Sequence, residues 1–264
     1  MKQGNLAGRS VVVLGGTSAL GRAMVERLAR HGAYVTFQGR DEAVAAGIAD
    51  ACRGLQGRVL FRPANLMDYE EVRGVFLEAE AAFGKVDVSV CSGGSLEPGP
   101  MLFKDMSVAD MIACTESRLI PRLNGLKAAS EVMIPRGYGK VILITTDAGR
   151  TPTPTETIIG ATGAFLIHLT RAAGSELARN GIRVNAVALS LTAGTSAYER
   201  LTGPEAEKVP AKAKVFRKIR DRAVFGLAHP EDIAAYVHYL ASPESDRVSG
   251  STLSINGGVS FPGY

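Results

Sequence analysis

Apolar residues follow two alternating rhythms along this chain. Short runs that are apolar or β-branched almost throughout, such as Val11–Leu14 and Val141–Ile144, are separated by longer stretches. In those stretches apolar positions return every three to four residues, as at Leu20, Met24 and Leu28. The first rhythm predicts strands at Ser10–Leu14, Ala33–Gln38, Arg58–Phe61, Val86–Cys91, Lys140–Thr145, Ile182–Leu189 and Thr252–Ile255. Strands without polar alternation are buried on both faces, which a parallel sheet between two layers of helices provides. The pattern therefore predicts an α/β fold, a Rossmann-type doubly wound parallel sheet flanked by helices. A ligand is expected beyond the carboxyl ends of its strands.

No internal repeat or low-complexity linker divides the chain, and 264 residues suit one domain over 1–264. The irregular region is 192–225, longer than a simple strand-to-helix loop and rich in Lys and Arg; it is expected to form a lid over the site. Hydrophobic residues at 46% supply a sizeable core, yet no apolar run is long enough to span a bilayer. The opening MKQGNLAGRS lacks the apolar stretch of a secretory signal, so a cytoplasmic protein is expected. Cys52, Cys91 and Cys114 are an odd set without CxxC spacing, which fits a reducing compartment and no metal site. A net charge of +4 permits an anionic partner, but no clustered basic face with aromatic readers suggests nucleic acid.

The stretch VVVLGGTSALGRAM places a Gly-rich turn between the first strand and the following helix. Gly15 allows the tight turn and close approach of backbone to a pyrophosphate, and Gly21 opens a helix whose amides and dipole favour anionic oxygen. Gly15, Thr17, Ser18, Leu20 and Gly21 are the candidate cofactor contacts here. The second strand runs into QGRDEA. Gly39 stands where an acid would accept both ribose hydroxyls of NAD, and Arg40 offers a planar fork to a 2′-phosphate. NADP(H) is therefore expected over NAD(H); the alternative is that Arg40 merely opens the next helix at the surface.

With these residues the chain resembles the short-chain dehydrogenase/reductase family over nearly its whole length. GGTSALG is similar to the family's TGxxxGxG turn, with Leu14 for Thr and Ala19 for the middle Gly. ANLMD resembles the segment that holds the adenine, placing Asn65 and Leu66 there. VDVSVCSGG takes the place of the NNAG strand, with Cys91 and Ser92 for the two Asn and Gly93 beside them. NGIRVNAVALS resembles IRVNxVxPG, and HPEDIAAYVHYLASPESDRVSGSTLSINGG the carboxyl-terminal PEDIA and GG segments.

The resemblance implies an Asn, Ser, Tyr, Lys catalytic set, with the Tyr and Lys four apart on one helix face. Counting from ITTDAG puts Thr146 at the Ser position, Ile159 at the Tyr position and Gly163 at the Lys position. The Asn position falls on Arg118. No Tyr or Lys occurs between Lys140 and Tyr198, so no shift of alignment restores the pair. Losing a positioned general acid costs about 10²–10⁴ in rate, and residues that act as a unit lose most of their effect together.

Among the remaining residues, Arg118 can stabilise charge near Thr146 or hold a carboxylate, or else pair with Glu116 or Glu131 at a subunit contact. Glu156 can serve as an acid if desolvated, although a loop Glu is more often solvated. His168 is expected on a packing face, Asp147 bonding the turn backbone, and Cys91 packing beneath the nicotinamide. The run EKVPAKAKVFRKIRDR offers Lys208, Lys212, Lys214, Arg217, Lys218, Arg220 and Arg222 to an anionic or CoA-linked substrate, or forms a solvated helix face.

Three functions follow. The first is a degenerate subunit that keeps the cofactor site and pairs in a homo- or hetero-oligomer with an active relative, on small molecules such as acyl-CoA hydroxy or keto compounds. Its helix IIGATGAFLIHLT carries Ile158, Phe165 and Leu169 for such packing. The second is non-redox cyclisation or elimination with nicotinamide as scaffold. The third is an NADPH-dependent ketone reductase with an unusual proton donor.

Overall fold

The computed structural model describes residues 5–204 and 210–261, the side chains of 210–212 excepted. Seven parallel strands form one sheet in the order β3-β2-β1-β4-β5-β6-β7. They are β1 (Ser10–Leu14), β2 (Tyr34–Gly39), β3 (Arg58–Pro63), β4 (Val88–Cys91), β5 (Gly139–Thr146), β6 (Ile182–Leu189) and β7 (Thr252–Ile255). The central strands are buried end to end, whereas β3 at one edge is only half-buried.

Helices α1 (Ala19–Arg30), α2 (Glu42–Ala51) and α8 (Pro230–Ala241) cover one face; α3 (Tyr69–Phe83), α4 (Val108–Met133) and α5 (Thr157–Glu176) cover the other. Two further helices, α6 (Ser196–Thr202) and α7 (Pro210–Arg222), follow β6. The α1–α4 starts are set by side-chain caps: Ser18, Asp41 and Asp68 each accept an amide of their helix, and Ser107 with Asp110 closes a capping box. The start of α5 has no such cap, because Glu156 occupies the position without bonding a helix amide.

The order of strands reverses between β1 and β4, where Leu14 stands beside Cys91. Chains leaving these two strands go to opposite faces of the sheet, which opens a crevice at their carboxyl ends. The site lies there. Among the described residues, no helix is long and apolar enough to cross a membrane.

Candidate functional site

The turn after β1 is built for close approach. Gly15 has φ +75, and a Cβ there would lie 2.6 Å from Gly93 Cα across the crevice. At Gly21 a Cβ would run into the Gly15 carbonyl, so the helix begins directly on the turn. Gln38 of β2 locks the turn from below: its side-chain oxygen accepts the Gly15 amide at 2.8 Å while its Nε2 donates to Ala64 O at 2.6 Å. Ser18 Oγ donates to Gly15 O at 2.8 Å and accepts the Gly21 amide at 3.0 Å. A backbone cradle with no Cβ in its path fits a dinucleotide pyrophosphate at the end of α1.

At the next strand, a Cβ on Gly39 would run into the Thr17 side chain. Thr17 therefore fills the space that an acid at position 39 would need. Arg40 beside it is exposed, with no ion pair among the described residues. Asn65 is exposed and its Oδ1 accepts the Met67 amide at 3.1 Å; Leu66 is buried and reaches towards Gly93.

A cavity of about 520 Å³ opens beyond β1, β4, β5 and β6. It brings together Ser18, Leu20, Ser92, Gly93, Thr146 and Arg118, and also Ile159 and Gly163. Gly15, Thr17, Gly21, Arg40, Asn65 and Leu66 do not line it; they follow the strand ends away towards β3.

Helix α5 lies unusually near the strand it covers. A Cβ on Gly163 would stand 2.6 Å from Thr146 Cγ2 and 3.1 Å from Gly149 Cα. One turn earlier, a Cβ on Gly160 would stand 2.7 Å from Ala148 O. The Thr146 methyl, with the Gly149 backbone behind it, thus crowds the place from which a side chain at 163 would have to start. Thr146 Oγ1 accepts the Ala148 amide at 3.2 Å, which leaves its proton free to donate.

Arg118 has committed its forked nitrogens to the protein. Nη1 donates to Cys114 O and Ser117 Oγ, both at 3.2 Å, and Nη2 to Leu96 O at 3.3 Å and Pro98 O at 2.9 Å. It clamps the loop after β4 to α4 and adds positive charge to the cavity wall. Within the chain, Glu131 pairs with Arg73 and Lys127.

Glu156 is not the solvated loop residue that its neighbours suggested. It is half-buried in the cavity wall, and burial pushes its carboxyl up to about 7 against the pull of Arg118. Its backbone is set by Thr155, a buried β-branched residue at φ 72 with no hydrogen-bond partner for Oγ1. A left-handed β-branched residue costs on the order of 1–3 kcal/mol, and such strain gathers at functional sites. The Thr155 carbonyl accepts the Met101 amide at 2.8 Å, tying this bend to the loop after β4.

Other candidates take structural roles. Asp147 does not serve the turn backbone with its side chain; it accepts from Asn256 Nδ2 at 2.8 Å and from the hydroxyls of Ser254 and Ser260, with Arg150 alongside. It knits the carboxyl-terminal segment to β5. Burial pushes the Cys91 thiol up to about 11, so it is a packing residue without thiolate character. His168 is exposed rather than packed within the chain. On α7, Ala213 and Phe216 are buried while Lys214, Arg217, Lys218, Arg220 and Arg222 are exposed. Phe216 and Ile219 line the cavity, so the cations face away from it. Lys208 and the Lys212 side chain lie outside the described residues.

One residue of the cavity escaped the reading of the sequence. Arg122, one helical turn after Arg118, is half-buried, and desolvation pushes its guanidinium down to about 10. Its Nε donates to Ile144 O at 3.3 Å. The i, i+4 spacing from Arg118 was the available signal, since it puts both on one helix face.

Known proteins resemble the chain along its whole length. Residues 15–260 match the family model described as Enoyl-(Acyl carrier protein) reductase. A Nodulation protein G from a Rhizobium species is 30% identical over 260 residues, covering 97% of this chain and 98% of that protein. A 3-oxoacyl-[acyl-carrier-protein] reductase from Haemophilus influenzae is 28% identical, covering 96% and 99%. Among solved structures, a mutant short-chain dehydrogenase/reductase from Serratia marcescens superposes with a TM-score of 0.84 at 25% identity, covering 97% of this chain and all of that one. A 7α-hydroxysteroid dehydrogenase complexed with NADH and an oxo bile acid superposes at 0.85 with 26% identity, covering 96% and 94%.

Proposed function

Because the chain belongs to the short-chain dehydrogenase/reductase family, we propose that it is a dinucleotide-binding subunit without its own proton-transfer pair, working beside a catalytically intact relative. The observation that carries this reading is the seating of α5. Ile159 and Gly163, which the family resemblance puts at the Tyr and Lys positions, line the cavity wall, and Gly163 is packed against Thr146 and Gly149. The dinucleotide supplies or accepts hydride when bound. This chain's part is to hold it on the Gly15–Gly21 turn and to offer the Thr146 hydroxyl to a substrate oxygen. Exposed Phe165 and His168 on α5 give a surface for a neighbouring subunit. NADP(H) is favoured because Thr17 occupies the space of a ribose-binding acid and Arg40 stands free beside it. Relatives named for acyl-carrier thioesters support an acyl thioester as the partner's substrate. Three free, buried cysteines suit a reducing compartment such as the cytoplasm.

The test is turnover by the purified chain alone against turnover after co-expression with an intact family member. Alone it binds NADPH and does not oxidise it with a ketone; the co-expressed pair elutes as one complex and does. Rapid oxidation by the lone chain overturns the reading.

A second reading is favoured by the Thr155–Glu156 bend. A carboxyl held near 7 in a half-dry wall can deliver the proton that Tyr delivers elsewhere. In that case Glu156→Gln abolishes a single turnover that the wild type performs, and the wild-type rate falls as pH rises through about 7.

A further inference from the structure

Among the described residues, Arg122 is the cavity-wall arginine that uses neither Nη nitrogen in a hydrogen bond or ion pair. Glu97 of the loop after β4 meets Arg200 of α6 in an ion pair at the mouth. Glu156 feels the Arg118 guanidinium, whose Nη donors are all spent on the protein. Arg122 has no carboxylate partner among the described residues, and its one protein hydrogen bond uses Nε. Neither Nη nitrogen bonds the protein among the described residues, and Arg122 lines the cavity. Gly94, at φ +108, passes directly over the group: a Cβ there would lie 2.9 Å from Arg122 Nη1. A larger residue at 94 would cover the guanidinium.

An unpaired charge in a half-dry wall is costly, and a guanidinium presenting two free parallel donors matches a carboxylate. Around it the cavity is mainly apolar, with Met101, Ile159, Leu191, Leu201, Phe216 and Ile219 among its walls. We propose that Arg122 is the receptor for an anionic group of the substrate, so that the pocket selects organic acids with an apolar body, the carboxylate lying on the Arg122 fork beneath Gly94. This deepens the functional reading and rests on it only in taking the cavity as the substrate's. Being a matter of equilibrium binding, it does not depend on turnover or on a partner subunit.

The test uses the full chain with octanoate and its neutral counterpart octanamide, by calorimetry with saturating NADP⁺ and without it. The wild type is expected to bind octanoate about tenfold or more tightly than octanamide, as a charge-assisted hydrogen bond allows. Arg122→Met removes that preference, Arg122→Lys keeps part of it, and NADP⁺ affinity stays within about twofold for both. Equal binding of the two probes by the wild type overturns the proposal, as does binding of neither. A preference that survives Arg122→Met also overturns it. So does loss of NADP⁺ affinity in Arg122→Met with octanoate unaffected, which assigns the guanidinium to the cofactor. The wild-type comparison of octanoate with octanamide needs no variant to fold.

Discussion

Glycines crowd both ends of the cleft, and they do opposite things. At the β1–α1 turn, Gly15 and Gly21 keep side chains out so that backbone can come up to something outside the protein. On α5, Gly160 and Gly163 keep side chains out so that the helix can settle onto the protein's own Ala148 carbonyl and Thr146–Gly149 turn. The first region preserves an opening, while the second closes one. Position 163 is therefore not a vacancy awaiting a side chain, because the Thr146 methyl and the Gly149 backbone crowd the room a Cβ would use.

Several substitutions press on this contrast. The largest effect is expected at Gly15→Val, which forces a β-branched residue to φ +75 and into Gly93. It should cost on the order of 3 kcal/mol in a denaturant titration and abolish NADP⁺ binding by calorimetry. Gly163→Ala, on the closed side, is expected to cost about 1–3 kcal/mol through overpacking while NADP⁺ still binds. For the same reason the double variant Ile159→Tyr with Gly163→Lys should not regain NADPH oxidation; an ordinary family rate would show that α5 can withdraw, breaking the comparison. Thr155→Gly relieves the left-handed strain and should stabilise the fold by about 1 kcal/mol, read as a raised midpoint.

The finest probe is pH. The Glu156 carboxyl is raised from 4.5 to about 7 in the folded chain. Between those values the unfolded chain ionises while the folded one keeps its proton, so wild-type stability falls as pH rises across that window. Relative to Glu156→Gln, the wild type should lose stability from about pH 4.5 to about pH 7 and stay level on either side. A constant gap across the whole range would show that Glu156 is solvated after all.

The sheet was legible because buried parallel strands have no polar face to blur their limits; β1 and β6 fall where the apolar runs end. The fourth strand starts at Val88 rather than Val86 because Asp87 intervenes. Its buried carboxylate accepts the Ser10 amide at 2.9 Å and pairs with Lys85 at 2.9 Å, while its backbone N–H donates to Ser10 O at 2.9 Å and its carbonyl accepts the Lys140 amide at 3.0 Å. In the site, the Gly-rich turn was legible because its glycines answer a local demand. Glu156 and Arg122 were not. The position of Glu156 depends on Thr155 adopting a conformation that no rule expects of a β-branched residue. The surroundings of Arg122 come from β5 and Gly94, far away in sequence.

The Thr17–Gly39 contact also constrains how this protein can change over generations. An acid at position 39, the residue type that accepts both ribose hydroxyls of NAD, runs into the Thr17 side chain. A lineage taking that route must first shrink residue 17 and only then replace residue 39. The reverse order passes through a chain in which the side chains of residues 39 and 17 overlap.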